Sequence, residues 1–332
     1  MRTAWKVLAA VLAALGAGIP SQASEDLLVR LLGPPAQGPE ARVSYGARWR
    51  PERRVEGAAH GEAVEVLTQR AALLSAAPLG AEAEGSLALG LRHHGLSGEA
   101  RLPEADVPLP DHLWDPTLGA AYRRFLAPGR WAGLAAVVSS PSDRPFHSSR
   151  EVAVSATALY RSPRGERAAW LFFLRYDNTR EFWNHIPLPG LAYWARPTPR
   201  SMVVLGVPYS SVRWAGGSGW GASLSYSFLR TLGAEAAYRF SDALQAYAGF
   251  EMDSDFHFRY RRDRRQDRLW YYEKRAEAGV RGEFSPRWGW ALAGGYAFDR
   301  YYFEGRRFSD RMRNRVPVAD GPFLRAQASL RF

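Results

Sequence analysis

The clearest signal in the chain is a period of two. Over 220–228 one face carries Trp220, Ala222, Leu224, Tyr226 and Phe228, and the other Gly221, Ser223, Ser225 and Ser227. Over 276–284, Ala276, Ala278, Val280 and Phe284 oppose Arg275, Glu277, Arg281 and Glu283. Over 288–298, Trp288, Trp290, Leu292, Tyr296 and Phe298 oppose Gly289, Ala291, Ala293, Gly295 and Ala297. Strands send successive side chains to opposite faces, whereas a helix would scatter these residues around its circumference. The same reasoning predicts strands near 42–50, 63–75, 85–93, 114–125, 131–139, 152–161, 169–177, 190–196, 201–214, 220–229, 232–241, 244–254, 269–284, 288–303 and 323–332. The signal is weaker from Glu52 to Asp111, where Ala/Glu-rich stretches leave short helices or a loop open.

One apolar face against a tiny or charged one suits a wall between lipid and a filled or wet lumen. The expected fold is all-β, a closed antiparallel up-and-down transmembrane β-barrel of about 12–14 strands over residues 41–332. Closure is required because an open sheet edge finds no hydrogen-bond partner in hydrocarbon. Aromatics at strand ends, such as Trp220 and Phe228, Trp288 and Phe298, or Trp170 and Tyr176, fit the girdles that meet headgroups. Short links at 241–243 and 285–287 read as periplasmic turns, and the polar stretches 253–268 and 304–322 as external loops. The last strand sets Leu324, Ala326, Ala328, Leu330 and Phe332 against Arg325, Gln327, Ser329 and Arg331. A terminal Phe332 on such a strand resembles the signal that delivers outer-membrane barrels to their insertion machinery.

The first residues give an address. Met1-Arg2-Thr3-Ala4-Trp5-Lys6, an apolar run from Val7 to Leu15 and Ser21-Gln22-Ala23 have the layout of a signal peptide over 1–23, cleaved after Ala23. Residues 24–40 follow as a periplasmic N-terminal segment broken by Pro34, Pro35 and Pro39. The location expected is the bacterial outer membrane, with its lipids and lipopolysaccharide as surroundings. A mean hydropathy of -0.31 is compatible, since only alternate strand residues face lipid. The 332 residues contain no cysteine, which excludes a lipidated N-terminal cysteine, a disulfide framework and a thiolate metal site. A net charge of +11 would suit nucleic-acid binding, but export argues against it, and the aromatics follow strand faces rather than a stacking platform.

Arginine supplies almost all of the positive charge. Arg259, Arg261, Arg262, Arg264 and Arg265 form the densest cluster, with guanidinium forks suited to lipopolysaccharide phosphates; a solvated hairpin tip reads equally well. Glu235, Arg239, Glu251, Arg275, Glu277, Arg281, Glu283, Arg325 and Arg331 fall on the lumen face. They would build cross-strand ion-pair ladders or line a pore that mildly prefers anions. No catalytic residue is assigned and no cofactor is expected: His147-Ser148-Ser149, Asn178 and Asn184-His185 are only fragments of a hydrolytic site. His93-His94 and Asp111-His112 suggest a metal, yet no further ligand follows at a recognisable spacing, so no metal site is assigned.

One stretch carries a family resemblance. Ile186-Pro187-Leu188-Pro189-Gly190-Leu191-Ala192-Tyr193, Arg196-Pro197, Val204 to Pro208 and Val212-Arg213-Trp214 resemble the centre of an uncharacterised bacterial outer-membrane β-barrel family, a domain of unknown function. The resemblance implies the location and fold and transfers no site residue. Pro189, Pro197 and Pro208 belong at strand ends or bulges, because proline cannot donate to a ladder. The expected function is a non-enzymatic outer-membrane barrel, a small-solute channel or a structural surface barrel. The alternatives are an outer-membrane lipid-acting hydrolase and a soluble periplasmic β-protein.

Overall fold

The computed structural model describes residues 27–332, apart from 29, 34, 57–61, 104–105, 182, 208, 228–230 and 313. The signal peptide, Ala23, Pro208 and Phe228 lie outside the described residues. The strands begin with β1 (Glu40–Arg54), β2 (Ala63–Pro78), β3 (Ala83–Gly98), β4 (Arg101–Leu102), β5 (Val107–Pro108) and β6 (His112–Ala127). They continue with β7 (Arg130–Ser139), β8 (Ala153–Pro163), β9 (Ala168–Asp177), β10 (Leu188–Ala195), β11 (Ser201–Val207), β12 (Tyr209–Ala215) and β13 (Trp220–Ser227). The last are β14 (Thr231–Arg239), β15 (Leu244–His257), β16 (Arg268–Glu283), β17 (Trp288–Gly305), β18 (Arg315–Val318) and β19 (Gly321–Arg331).

Apart from the small hairpin β4–β5, these strands form one antiparallel sheet that closes on itself. Arg42 of β1 lies opposite Arg331 of β19, and Trp49 opposite Leu324. Since β18 and β19 both pair with β17 along one line, the wall has 16 strands. The fold class is the expected one, but the count is higher than 12–14. The run 201–214, read as one strand, is two: Val204 faces Ser211 across an antiparallel ladder, so the chain reverses within it. Pro189 is the second residue of β10, and Pro197 lies just past its end.

Residues 63–98 are two long strands, neither helix nor loop. Their pattern was weak because it inverts near the end away from the termini. There Val64, Val66 and Leu96 point inward and are buried, while Glu65 and Gln69 point outward. Lower down, the usual order returns, with Leu87, Leu89 and Leu91 exposed and Ser86 and Ala88 buried.

The outer surface is apolar where the wall crosses lipid. Leu118 and Tyr122 of β6, Leu205 of β11, Leu224 and Tyr226 of β13, Leu292 and Tyr296 of β17 and Leu324 of β19 are all exposed. A soluble protein does not leave a continuous apolar band of this extent in water, which removes the soluble alternative. At the end holding both strand termini of the barrel, exposed Trp214, Trp220, Phe240, Phe284 and Trp288 form an aromatic girdle. The described links at this end, such as 128–129, 240–243 and 284–287, are short, marking it as the periplasmic end. Long links, including 140–152 and 258–267, lie at the other end.

Candidate functional site: a filled lumen

A 16-strand barrel is wide enough to leave an aqueous channel. In this protein three layers occupy that space.

At the periplasmic end it is filled by the chain that precedes β1. Residues 27–32, described except for 29, are helical and place Leu27, Leu28, Leu31 and Leu32 inside the barrel, each at most 6% exposed. They pack against inward residues of the wall, among them Ala121, Trp131, Val137, Phe173 and Val204. Room is made by glycine: a Cβ on Gly119 would stand 2.5 Å from Leu27 Cδ1. Arg123 of β6 donates from Nη1 to the carbonyl oxygens of Leu31 (2.6 Å) and Gly33 (2.5 Å) and from Nη2 to Glu84 Oε2 (2.8 Å). Glu84 also pairs with Arg30 at 3.0 Å and accepts from the Ala36 amide at 2.7 Å. Arg123 therefore caps the carbonyls at the end of the segment, where a helix leaves acceptors unsatisfied.

The middle layer is charged. Glu273 of β16 accepts from Arg50 Nε (3.0 Å) and Nη2 (2.6 Å), Arg48 (3.2 Å), Arg275 (2.9 Å) and the Tyr271 hydroxyl (2.6 Å), all buried. A cavity of about 100 Å³ beside it is lined by Ser44, Arg48, Thr68, Arg70, Arg325 and Gln327, among others.

The outer layer is apolar and is built by the strands and loops themselves. Val64, Val66, Leu96, Leu113, Leu269 and Tyr302 of the wall meet Leu102 and Leu109 from the segment around β4–β5. The loop 140–152 crosses the mouth, where Ser142 exchanges backbone hydrogen bonds with Trp114 (2.9 and 2.8 Å) and the Phe258 amide donates to the Pro141 carbonyl (2.7 Å). Arg262 reaches Glu151 at 3.3 Å. Burial works against the Glu151 anion, but hydrogen bonds from Ser148 and the Arg262 guanidinium outweigh it and hold the carboxyl below the usual range.

Most of the expected lumen charges meet as pairs. Arg281 donates twice to Glu235 (3.0 and 2.7 Å), Arg325 pairs with Glu277 (3.1 Å), Arg331 with Glu283 (3.2 Å) and Arg275 with Glu251. Arg239 is exposed at the lower end of β14. Of the arginine loop, Arg259 is bound to Glu304 (2.7 and 2.5 Å) and Arg262 to Glu151, so only Arg261, Arg264 and Arg265 face solvent. The hydrolytic fragments do not assemble. Ser148 Oγ donates to Glu151 (2.6 Å), the His147 ring stacks edge-on against Tyr260, and His185 meets the Tyr176 hydroxyl (3.2 Å). Asn178 is spent on the backbone of Val152 and Val154.

Solved barrels of bacterial outer membranes resemble this fold. An outer-membrane channel from Pseudomonas putida F1 aligns over 90% of this chain and 97% of its own, with 10% identity and a TM-score of 0.39. A deltaS2 mutant of the monoaromatic hydrocarbon channel TodX aligns over 94% and 93%, with 10% identity and a TM-score of 0.47. A FadL homologue of Pseudomonas aeruginosa aligns over 96% and 97%, with 11% identity and a TM-score of 0.38. No family model matches the chain, and no curated protein does. The resemblance of 186–214 to an uncharacterised family thus gains no match, and function has to be argued from this chain's own residues.

Several central residues were missed by reading strand faces one at a time. Arg48, Arg50, Glu273, Arg123 and Glu84 are as buried as the apolar core. The signal for the first two was present, since Arg48 and Arg50 alternate with the exposed Trp49. The N-terminal leucines also carried one, because Leu27, Leu28, Leu31 and Leu32 share a helical face. His94, expected to lack further ligands, lies beside Asp255 and His257 of β15, with ligand atoms within 4.8 Å of one another.

Proposed function

We propose that this chain is a non-enzymatic outer-membrane channel for small solutes, held closed at its periplasmic end by its own N-terminal segment and at its outer end by strand tips and loops. The observation that carries this reading is the way the periplasmic half of the lumen is filled. A purely structural barrel would fill it with wall side chains; this barrel uses a segment joined to the wall at one point, the start of β1. Burying four leucines is worth roughly 6–12 kcal/mol. Fixing about seven residues costs roughly 7–14 kcal/mol. The plug is therefore retained by a small difference, to which Arg123 and Glu84 contribute, and can leave without unfolding the wall.

Buried arginines outnumber buried carboxylates along the interior, so the open state should favour anions. Cleavage after Ala23 would leave the plug only a few residues from a free amino terminus. Phe332, exposed at the end of β19, suits recognition by the insertion machinery, and Arg261, Arg264 and Arg265 suit contact with lipopolysaccharide phosphates.

Liposome swelling tests the proposal. The intact chain should be nearly impermeable, and a variant lacking both residues 26–33 and the outer-seal loop 140–152 should admit small anionic solutes. If that variant folds and remains as tight as the parent, the channel reading fails.

A further inference from the structure

The outer part of the charged layer contains a group that the channel reading does not use. His94 on β3 and Asp255 and His257 on β15 come from strands that are not neighbours in the wall, and all three are buried. Their potential ligand atoms lie within 4.8 Å of one another. His257 Nε2 is buried without a hydrogen-bond partner, and so is His94 Nε2, which lies 3.5 Å from Asp255 Oδ2. Two imidazole nitrogens left without partners in a buried site carry a desolvation cost that a ligand would remove.

We propose that His94, Asp255 and His257 bind a divalent transition metal of the zinc class, which fastens β3 to β15 across the lumen. Two imidazoles and one carboxylate form a borderline donor set suited to zinc, with water completing the shell. The surroundings are arranged for this. Thr68 Oγ1 lies 3.0 Å from His94 Nδ1 and is itself fixed by Arg50 Nη1 at 3.0 Å. A proton on Nδ1 donated to Thr68 leaves the Nε2 lone pair for the metal, the usual outer support of a ligating histidine.

Arg92 is the competing cation, since it pairs with Asp255 Oδ2. It also holds Asp115 at 2.9 Å, so it keeps a carboxylate partner when Oδ2 turns to the metal. Ligand atoms on one zinc ion stand about 3.3–3.5 Å apart, given bonds of about 2.0–2.1 Å. Small side-chain rotations would close the present spacing. Thr68, which holds His94, also lines the cavity of the charged layer.

Cobalt(II) titration of the folded, chelator-treated full chain tests the site, with visible absorption as the readout and zinc as competitor. One equivalent should saturate the signal, and zinc should abolish it. H257Q, H94Q and D255N should each lose the signal while retaining heat-modifiable gel migration, which shows that the barrel is closed. T68V should weaken binding by about tenfold. A second histidine pair, His93 and His112, stands exposed on the outer face with nitrogens 3.1 Å apart. A variant with both replaced by alanine should titrate like the parent. Absence of a saturable signal in the parent, its persistence in folded H257Q, or its loss only in the His93/His112 variant would each overturn the assignment.

Discussion

The two ends of the lumen are both closed by apolar side chains, but by different means. The outer end is sealed by continuations of the wall: strand tips, the β4–β5 hairpin and a loop stitched by backbone hydrogen bonds to β6 and to Phe258, just past β15. The periplasmic end is sealed by one short helical segment whose polar anchorage centres on Arg123 and Glu84. Backbone pairing shares the hold among many groups, so no single side chain decides it. The lower seal concentrates its hold in a few side chains, and a closure that must open is expected to be built that way.

The largest effect should follow from removing Arg123. Arg123→Ala leaves Glu84 with Arg30 as its ionic partner and uncaps the Leu31 and Gly33 carbonyls, removing three charged hydrogen bonds of about 1.5–3 kcal/mol each. The plug should come free while the outer seal persists. With no native cysteine, Leu31→Cys gives a lone thiol. It should label slowly in the parent and rapidly in the arginine variant; equal rates would erase the proposed difference between the ends.

A smaller effect belongs to the outer seal. Arg262→Ala removes a charged hydrogen bond worth about 1.5–3 kcal/mol. The loop 140–152 should then be cleaved faster by added protease, with no gain in solute permeation. Permeation rising while the plug stays in place would mean that the outer loop alone closes the channel.

Acidification should act more weakly on the same loop. The Glu151 carboxyl is held below its usual range, so its contribution is complete above the unfolded value of about 4.3 and is lost as pH falls through the folded one. A spin label at Ser149→Cys should gain mobility only in that acidic window, and Glu151→Gln should remove the transition. Smallest of all, Glu283→Gln breaks a half-exposed pair with Arg331, and thermal unfolding should record less than about 1 kcal/mol.

The sequence was most readable where the wall meets lipid. In β13, β16, β17 and β19 large apolar residues alternate with tiny or charged ones, and each predicted face is the one observed. Legibility failed where that environment changes. Val64, Val66 and Leu96 turn inward to an apolar seal, so period two survives there with its polarity reversed. The plug was obscured by the prolines that follow its leucines. The group at His94 had only a faint local trace, Asp255 and His257 at a spacing of two, which puts them on one strand face. Its third member lies about half the chain away and is supplied by closure of the barrel.

The seam between β1 and β19 sets an order of events. It joins the first strand of the barrel to the last, Arg42 with Arg331 among the pairs, so these hydrogen bonds cannot form until all the intervening strands are present. Such distant pairing is slow, and until it completes both border strands present unpaired amides. The plug is attached at this seam, directly ahead of β1. It can be enclosed sideways as the cylinder shuts, without being threaded through a finished tube.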